Sequence, residues 1–390
     1  MTRAVQLATF IGIALGLLGA IHFYVWLRLV ADPAPPPVGR RLLTGAFVAL
    51  YLAIPATFYV SRARDIGARR LLAMPGYVWM GVVFILFMLF ASVDIVRLAG
   101  AALQRLAGET PPSDPARRIA VARLFAFAVA SVGGGATLAA LRSGLGPVHV
   151  KEVRVRLERL PRQLDGTTIV QLSDVHVGPT IGRSFVERIV DQVNALSPDL
   201  VAITGDLVDG SVSELADQVA PIAELKSRYG TYFVTGNHEF YSGRESWCRK
   251  LRSLGIQVLS NERVSIGEGA ASFDLAGVED YNATRFGIAS DVGKAVEGRD
   301  PNRELVLLAH QPRSAFAADQ HGVGLQLSGH THGGQIWPWS YFVYLQQPVV
   351  AGLSRIGRTL VYVSRGTGYW GPPMRLRAPA EITRIVLESA

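Results

Sequence analysis

The chain has 390 residues, 49% of them hydrophobic, a single cysteine and a formal net charge of +8. Residues 1–150 contain 14 Lys and Arg against 5 Asp and Glu, and residues 151–390 contain 25 against 26. A basic surplus confined to the more apolar part fits anionic lipid headgroups and argues against a nucleic-acid partner. One cysteine, Cys248, excludes an internal disulfide.

Four apolar stretches dominate the first 145 residues. A bilayer core of about 30 Å requires about 20 helical residues, and each stretch approaches or exceeds that length. The first is predicted to be a retained helix rather than a secretory signal, because its apolar run is too long and three more follow. Residues 1–145 are therefore predicted to be a multi-pass region of the cell membrane, with the lipid bilayer as a partner. The predicted helices cover about residues 4–27, 42–60, 72–95 and 120–141.

The orientation of this region is predicted from its loops. The segment Ser61–Arg70, "SRARDIGARR", carries four arginines and one aspartate, which by the positive-inside rule places it and the C-terminal domain in the cytoplasm. Five arginines of the opposing loops argue the other way, so the cytoplasmic side is favoured only slightly. They are Arg40, Arg41, Arg105, Arg117 and Arg118.

Asp94 is an ionisable residue inside the third apolar stretch. Such a residue is costly in hydrocarbon and can mark a transport path. An interfacial ion pair with Arg97 is the preferred interpretation, because the sequence contains no string of intramembrane charges that would indicate a transporter.

Residues 146–390 form the second predicted domain, in which short apolar strands alternate with helical patterns. "FVERIVDQVNAL" (residues 185–196) repeats its apolar positions at helical spacing. Five predicted strands each end in a polar cluster. They are "TTIVQLSDVH" (167–176), "DLVAITGD" (199–206), "TYFVTGNHE" (231–239), "ELVLLAHQP" (304–312) and "GLQLSGHTH" (324–332).

Nearly continuous apolar strands indicate a layered α/β fold with helices covering the sheet. Ligands of open α/β sheets bind beyond the carboxyl ends of the strands, so the five polar clusters are expected to meet at one edge. The glycines in "GHTHGGQ" (329–335) allow the sharp turns and close approach to a ligand that a helix would forbid.

Eight polar residues lie at these strand ends, and five of them are among the eight histidines of the chain. Their carboxylates, amide and imidazoles form a mixed oxygen and nitrogen shell suited to Mn, Fe or Zn. The donors suffice for two ions if one carboxylate bridges them, and Asp206 in its tight turn is the natural bridge. The residues are Asp174, His176, Asp206, Asn237, His238, His310, His330 and His332.

Two cations about 3.5–4 Å apart activate water and stabilise an in-line displacement at phosphorus, which predicts phosphoester hydrolysis. His238 follows Asn237 directly and is expected to point toward the leaving group. Its predicted role is that of a general acid or an electrostatic stabiliser. Asp206 and His238 are therefore the predicted catalytic residues.

The ordered motifs "DVH", "GD", "GNHE", "H" and "GHTH" resemble the calcineurin-like metallophosphoesterase superfamily over about residues 165–388. Their longer forms are similar to the YkuE/YaeI-type branch, which includes membrane-bound phosphodiesterases and pyrophosphatases of lipid A synthesis. Four spans before such a domain also resemble the transmembrane proteins with a metallophosphoesterase domain. The resemblance implies two mixed β-sheets packed as a sandwich and flanked by helices, instead of the single doubly wound sheet that spacing alone allows.

The resemblance also implies a ligand set for two divalent metal ions, with Mn favoured over Fe or Zn. One metal would be held by Asp174, His176, Asp206 and His332. The other would be held by Asp206, Asn237, His310 and His330. Glu239 is expected to orient a ligand or to touch metal directly.

Two further segments are singled out. Residues 337–348, "WPWSYFVYLQQP", are interpreted either as core or as an exposed lip that touches lipid, since Trp and Tyr favour the headgroup level. Arg375 and Arg377 alternate, so they are expected to share a strand face, either binding substrate phosphate or forming a solvated edge.

The sequence thus predicts a membrane-bound phosphoesterase that hydrolyses a phosphodiester or pyrophosphate, in a substrate that is lipid-linked or close to the membrane. One alternative is a tethered phosphomonoesterase or nucleotide phosphodiesterase. Another is a catalytically silent metal-binding sensor or scaffold, against which the intact His238 and the complete ligand set argue.

Overall fold

A computed structural model describes residues 3–60, 66–108 and 114–390. The chain divides into two compact units, an N-terminal unit and a C-terminal unit that begins at Ser143.

The N-terminal unit consists of long apolar helices. Among the described residues, four helices have the length and composition to cross a membrane. A π-helical segment, Leu27–Ala31, continues the first of them. The helices are α1 (Arg3–Trp26), α2 (Pro37–Val60), α3 (Ile66–Leu106) and α4 (Pro115–Leu145).

Three helices extend beyond the apolar stretches that predicted them. Proline at the first position of α2 and α4 suits a helix start. The end of α3, "VRLAGAALQRL", is rich in Ala, Leu, Arg and Gln, which favour helix even where the apolar run has stopped. The five arginines assigned to opposing loops therefore lie within the ends of helices α2, α3 and α4, and Arg69 and Arg70 of the Arg-rich segment likewise lie at the start of α3. Residues 61–65 of the Arg-rich loop lie outside the described residues.

A polar cluster lies among the apolar side chains of the N-terminal unit. The Asp94 carboxylate accepts hydrogen bonds from the Tyr24 hydroxyl at 2.6 Å and from Arg28 Nε at 2.8 Å. Arg28 also pairs with Asp32 at 2.8 Å, and Arg97 lies 3.7 Å from Asp94. The predicted ion pair between Asp94 and Arg97 is confirmed, and Arg28 is a second and closer partner.

The described part of the C-terminal unit contains two six-stranded mixed sheets. The strands are β1 (His149–Leu157), β2 (Thr168–Leu172), β3 (Leu200–Ile203), β4 (Thr231–Phe233), β5 (Gln257–Val258), β6 (Glu262–Glu268), β7 (Ala271–Gly277), β8 (Leu305–Leu308), β9 (Leu325–Ser328), β10 (Gly352–Ile356), β11 (Thr359–Val363) and β12 (Glu381–Ser389). One sheet has the order β1-β12-β2-β3-β4-β5, and the other has the order β10-β11-β9-β8-β7-β6. The two mixed sheets expected from the family resemblance are confirmed.

Helices complete the layers of this unit. They are α5 (Arg183–Ala195), α6 (Val212–Val219), α7 (Asn237–Ser242), α8 (Arg244–Ser253), α9 (Val292–Ala295), α10 (Ala315–Gln320) and α11 (Trp339–Val343). Alternate residues of a strand face opposite sides, so β2 places Ile169 in the core between the sheets and Val170 in the core beneath α5. Burial of each such aliphatic side chain contributes about 1.5–3 kcal/mol, which explains why β2 is apolar on both faces.

Strand direction determines where the polar clusters lie. Strands β2, β3 and β4 are parallel to each other, as are β8 and β9 in the second sheet. The segments that follow these strands therefore meet at one end of the sandwich. The carbonyl of Thr204, after β3, accepts a hydrogen bond from His310, after β8, at 2.7 Å. The predicted meeting of the strand ends is thus present, and it joins two sheets.

Candidate metal centre

The strand ends place the polar side chains by means of an unusual backbone conformation. Five of the eight predicted residues have a positive φ, between 51° and 70°. Left-handed backbone is strained for residues other than glycine and concentrates at functional sites. Each of these turns aims its side chain back across the end of the sheets. The five residues are Asp174, His176, Asp206, His330 and His332.

Glycines allow the turns to approach each other closely. A Cβ atom at Gly236 would collide with the Asp206 carboxylate, and one at Gly329 would collide with Ser173 and Asp174. The glycines of "GNHE" and "GHTH" are therefore needed where carboxylate-bearing turns pack against the neighbouring loop.

Asp174, His176 and His332 form the first group of donors, whose ligand atoms all lie within 4.8 Å of one another. The Nε2 atoms of His176 and His332 are 3.1 Å apart, and His332 Nε2 is 3.5 Å from Asp174 Oδ1. Two imidazole nitrogens and a carboxylate oxygen facing one point is the arrangement that a divalent transition metal requires.

Asp206, His310 and His330 form a second such group. His310 Nε2 lies 3.1 Å from Asp206 Oδ2 and 3.2 Å from His330 Nδ1. His310 Nδ1 donates to the Thr204 carbonyl, so Nε2 is the nitrogen that faces the carboxylate. Burial opposes the charged form of this ring, but Asp206 outweighs burial and raises the pKa of His310 well above its usual value. Backbone anchoring of the remote nitrogen is a common support for metal-binding histidines.

Asp206 also belongs to a third group, with His176 and His238. Its Oδ2 atom lies 3.9 Å from Nε2 of each of these two histidines. Asp206 thus joins the other two groups, the position expected of a bridging carboxylate. Near it, the buried Oδ1 of Asn237 has no hydrogen-bond partner among the described residues. An unpaired buried acceptor costs about 1–3 kcal/mol unless a ligand satisfies it.

Asp209 was not among the predicted site residues, yet it contacts two of them. Its Oδ1 atom lies 3.0 Å from His176 Nδ1 and 2.6 Å from His238 Nδ1. Burial opposes its ionisation, but His176 and His238 outweigh that effect and hold the pKa of Asp209 well below its usual range. An ionised carboxylate only accepts, so both rings donate through Nδ1 and turn Nε2 toward the site. The second aspartate of "GDLVDG" was the available sequence signal.

Glu239 contacts backbone instead of the facing donor atoms. Its carboxylate accepts from the backbone N–H groups of Asp206 at 3.0 Å, Leu207 at 2.8 Å and Gly236 at 2.6 Å. Burial, together with the charge of Asp206, raises the pKa of Glu239 to about 7. Glu239 therefore holds the Asp206 turn against the turn at Gly236, in agreement with its expected orienting role.

Metal binding requires neutral imidazoles and ionised carboxylates, and the surroundings of two of the histidines favour the neutral form. Burial, together with the charge of His310, lowers the pKa of His330 to about 3. Burial and neighbouring cations likewise hold the pKa of His332 far below its usual value. Burial instead raises the pKa of Asp174, and an added cation would favour its charged form. The residues thus fit divalent metal.

His238 differs from these histidines in its surroundings. Burial opposes its charged form, but Asp206 and Asp209 outweigh burial and raise the pKa of His238 to about 9. Its ring lies 5.6 Å from the ring of Tyr241 and 5.7 Å from that of Trp370, measured between centroids. His238 therefore lies between the donor groups and the exposed side chains of Tyr241 and Trp370.

Arg375 and Arg377 are not on a common strand face, so that expectation was wrong. Both lie in the irregular segment before β12. Arg375 is buried, and its guanidinium donates to the carbonyls of Gly368, Arg365 and Ala378 and lies 3.2 Å from His332 Nδ1. Arg377 is exposed and lies over the Trp337 ring. Because its guanidinium group bonds with backbone carbonyls and lies beside His332, Arg375 supports the His332 ring.

Most of residues 337–345 are exposed, and Pro338, Ser340 and Val343 are half-buried, which excludes a core role for this stretch. Trp337 is 41%, Trp339 50% and Tyr341 65% exposed. Trp370 is also exposed, and its backbone bonds with the Gln335 side chain next to the histidine motif. We call the exposed aromatic residues of this surface the aromatic rim. They are Tyr241, Trp337, Trp339, Tyr341, Phe342, Tyr344 and Trp370.

Residues 167–334, which contain all the donors above, match the calcineurin-like phosphoesterase family. The transmembrane protein with metallophosphoesterase domain of Danio rerio is 37% identical over 99% of this chain and 90% of its own length. Its namesake in Bos taurus is 38% identical over 99% and 89%, respectively. The metallophosphoesterase YkuE of Bacillus subtilis is 29% identical over 62% of this chain and 86% of its own.

The fold and the donor groups define a metal-dependent phosphoester hydrolase. The chain belongs to the family of transmembrane proteins with a calcineurin-like metallophosphoesterase domain. It is a membrane protein, and its His and Asp cluster is able to bind metal.

Proposed function

We propose that the C-terminal unit hydrolyses a phosphodiester or pyrophosphate at a centre of two divalent metal ions. The observation that carries the proposal is that Asp206 belongs to two donor groups. One contains His310 and His330, and the other contains His176, which also belongs to the group of Asp174 and His332. A mononuclear site would not need two sets of converging donors joined by one carboxylate.

The proposed ligand sets follow the donor groups. Asp174, His176 and His332 with Asp206 would hold one ion. Asp206, His310 and His330 would hold the other, and Asn237 would supply its unpaired Oδ1. We favour Mn, because the shell mixes oxygen and nitrogen donors without thiolate. When bound, such ions lower the pKa of water and neutralise charge that develops on phosphate oxygens.

His238 is the proposed catalytic proton carrier. Its Nδ1 is held by Asp209 at 2.6 Å, which leaves Nε2 directed to the site, 3.9 Å from Asp206 Oδ2. A ring fixed in this way presents its Nε2 proton in a constant direction to the leaving oxygen. Asp209 acts through His238 and His176, so it is a positioning residue.

A lipid-linked substrate is supported by the aromatic rim. Monomeric soluble proteins rarely expose large contiguous apolar patches, and such patches mark binding surfaces. Trp370 of the rim lies beside the His238 ring, so an apolar chain on the rim would be attached close to the reacting phosphate. A membrane-bound hydrolase meets substrates of this kind in its own bilayer.

We also propose that the C-terminal unit faces the cytoplasm, on the basis of the arginines of residues 61–70. A green fluorescent protein fused to the C-terminus would test this, because it folds in the cytoplasm and not after export in unfolded form. Fluorescent cells support the orientation, and dark cells with normal amounts of fusion protein contradict it.

The activity is tested with detergent-solubilised protein and Mn. The substrates are bis-p-nitrophenyl phosphate, UDP-diacylglucosamine and p-nitrophenyl phosphate, and the variants are Asn237→Ala and His238→Ala. We expect turnover of the diester or the pyrophosphate by the wild type and severe loss in both variants. Faster turnover of the monoester would favour a phosphomonoesterase, and equal turnover by the variants would refute the assignment of the site.

A further inference from the structure

A polar cavity lies at the end of the sandwich opposite the metal centre. Its volume is about 240 Å³, and it is lined where β1 ends and where β9 and β11 begin. The donor groups follow the other end of β9. At 3.3 Å per residue, the four residues of this strand separate the two places by about 13 Å.

Four arginines line this cavity, which we call the basic cleft. Arg156 comes from β1, Arg159 from the segment that follows it, and Arg355 and Arg358 from the hairpin of β10 and β11. The acidic residues in the lining are Glu158 and Glu304, so the side chains carry a net charge of +2. Residues far apart in sequence thus bring like charges to one concave surface.

Arg159 is the anchored member of the cleft. Its guanidinium pairs with the buried Glu304 at 3.3 Å and donates to the Gly322 carbonyl at 2.7 Å. Arg299 lies behind it and donates to the His321 carbonyl at 3.1 Å. Burial, together with the positive charge of Arg159, lowers the pKa of Arg299. The guanidinium groups of Arg159 and Arg299 thus lie close together beside Gly322.

The other three arginines lack ion pairs. In the part of the chain that the structure describes, no acidic side chain forms an ion pair with Arg156, Arg355 or Arg358. Arg154, two residues before Arg156 on the same strand, pairs with both Glu152 and Glu388 at 3.1 and 3.0 Å. At the cleft, Glu304 pairs with Arg159, and the Asp319 carboxylate accepts from the backbone N–H of Arg358 at 2.6 Å, so the guanidinium groups of Arg156, Arg355 and Arg358 form no ion pair within the described residues.

We propose that the basic cleft binds a phosphate-bearing anion with two or more negative charges. Guanidinium groups bind phosphate oxygens through paired, charge-assisted hydrogen bonds, and several of them around one cavity favour a multiply charged ligand. The ligand is either a free diphosphate compound or the phosphomonoester headgroup of a lipid, which share this chemistry. The site is separate from the metal centre and does not depend on the proposed function.

Arginine footprinting on the full-length protein tests the proposal. Phenylglyoxal modification of each arginine is measured by mass spectrometry, with and without methylenediphosphonate, a diphosphate analogue whose P–C–P bridge is not hydrolysed. We expect concentration-dependent protection of Arg355 and Arg358, with no change at the exposed Arg188 and Arg249 of α5 and α8. In Arg156→Gln the concentration for half-protection should rise about tenfold, from the loss of one charge-assisted contact.

A second arm distinguishes the two sources of phosphate. Protein in phosphatidylcholine vesicles with and without phosphatidic acid is footprinted in the same way. Protection by phosphatidic acid assigns a lipid headgroup, and protection by the diphosphonate alone assigns a soluble ligand. Protection by neither overturns the proposal, as does equal protection of Arg188 and Arg249. The double variant Arg188→Gln/Arg249→Gln removes two charges elsewhere and should retain the protection.

Discussion

The partly exposed polar cluster of the N-terminal unit and the buried metal centre of the C-terminal unit both bring charged side chains together, and they balance those charges differently. In the first, Asp94 and Asp32 are matched by Arg28 and Arg97. In the second, histidine nitrogens face each other at 3.1–3.2 Å, and a buried amide oxygen has no partner in the described residues.

This difference indicates what each cluster is for. A cluster whose acids and bases pair internally needs no ligand and stabilises the packing of helices. Nitrogen lone pairs that face each other, as in the His176–His332 pair, repel unless a proton or a cation lies between them, so the His and Asp cluster is able to bind metal. The comparison predicts that the centre, and not the N-terminal cluster, will respond to metal.

The largest expected effect is that of Asp206→Asn. Loss of the shared carboxylate should lower kcat/KM for bis-p-nitrophenyl phosphate roughly a thousandfold, equivalent to about 4 kcal/mol of transition-state stabilisation. Metal content by plasma mass spectrometry should fall with it. Asp191→Asn, on the exposed face of α5, is the matched control and should behave as the wild type. Full activity with normal metal content in Asp206→Asn would show that Asp206 is not a ligand of the metal centre.

Metal removal should produce the next largest effect, on stability. EDTA removes a ligand that binds only the folded state, a loss of about 4 kcal/mol when the free metal was at a thousand times its dissociation constant. The unfolding midpoint of the C-terminal unit should therefore drop, and added Mn should restore it. Asp206→Asn should show a much smaller shift. An identical shift in that variant would mean that EDTA acts elsewhere.

The site was largely predictable because it rests on strand ends. A buried apolar strand ends where the chain reaches the surface of the domain. Asp174, Asp206 and His310 are therefore recognisable in the sequence as polar residues that directly follow apolar runs. Because parallel strands end at the same edge of a sheet, the strand pattern alone predicts that residues 174 to 332 lie close together. The strand pattern did not distinguish one sheet from two, and the family resemblance supplied that step.

Other features depend on tertiary contacts that the sequence does not encode locally. Asp209 looked like a turn residue, and only the fold places it between His176 and His238. Alternation at Arg375 and Arg377 indicated a strand, but the segment is irregular and Arg375 turns inward to backbone carbonyls. The left-handed backbone of the site residues cannot be predicted from the sequence either, because residues such as Asp174 adopt it only when neighbouring loops enforce it.

Asp209→Asn should have an intermediate effect. Supports of metal-binding and catalytic histidines typically contribute 10–100-fold, and we expect a loss of about that size in activity or metal affinity. The amide Oδ1 can still accept from both rings, but the negative charge that helps to raise the pKa of His238 is lost. The alkaline limb of the pH profile should therefore move to lower pH, whereas a merely structural defect would lower activity uniformly. Asp191→Asn again serves as the control.

The smallest effect is expected in the N-terminal cluster. Asp94→Ala leaves Arg28 with only Asp32 and removes the acceptor of the Tyr24 hydroxyl. Because the cluster is partly exposed, we expect a loss of about 1–2 kcal/mol in thermal stability, while Mn content and hydrolysis stay unchanged. Asp94→Asn, which retains an acceptor for Tyr24, should lose less. A change in metal content in either variant would contradict the view that this cluster is neutralised from within, because an internally paired set of charges has no reason to be linked to the metal.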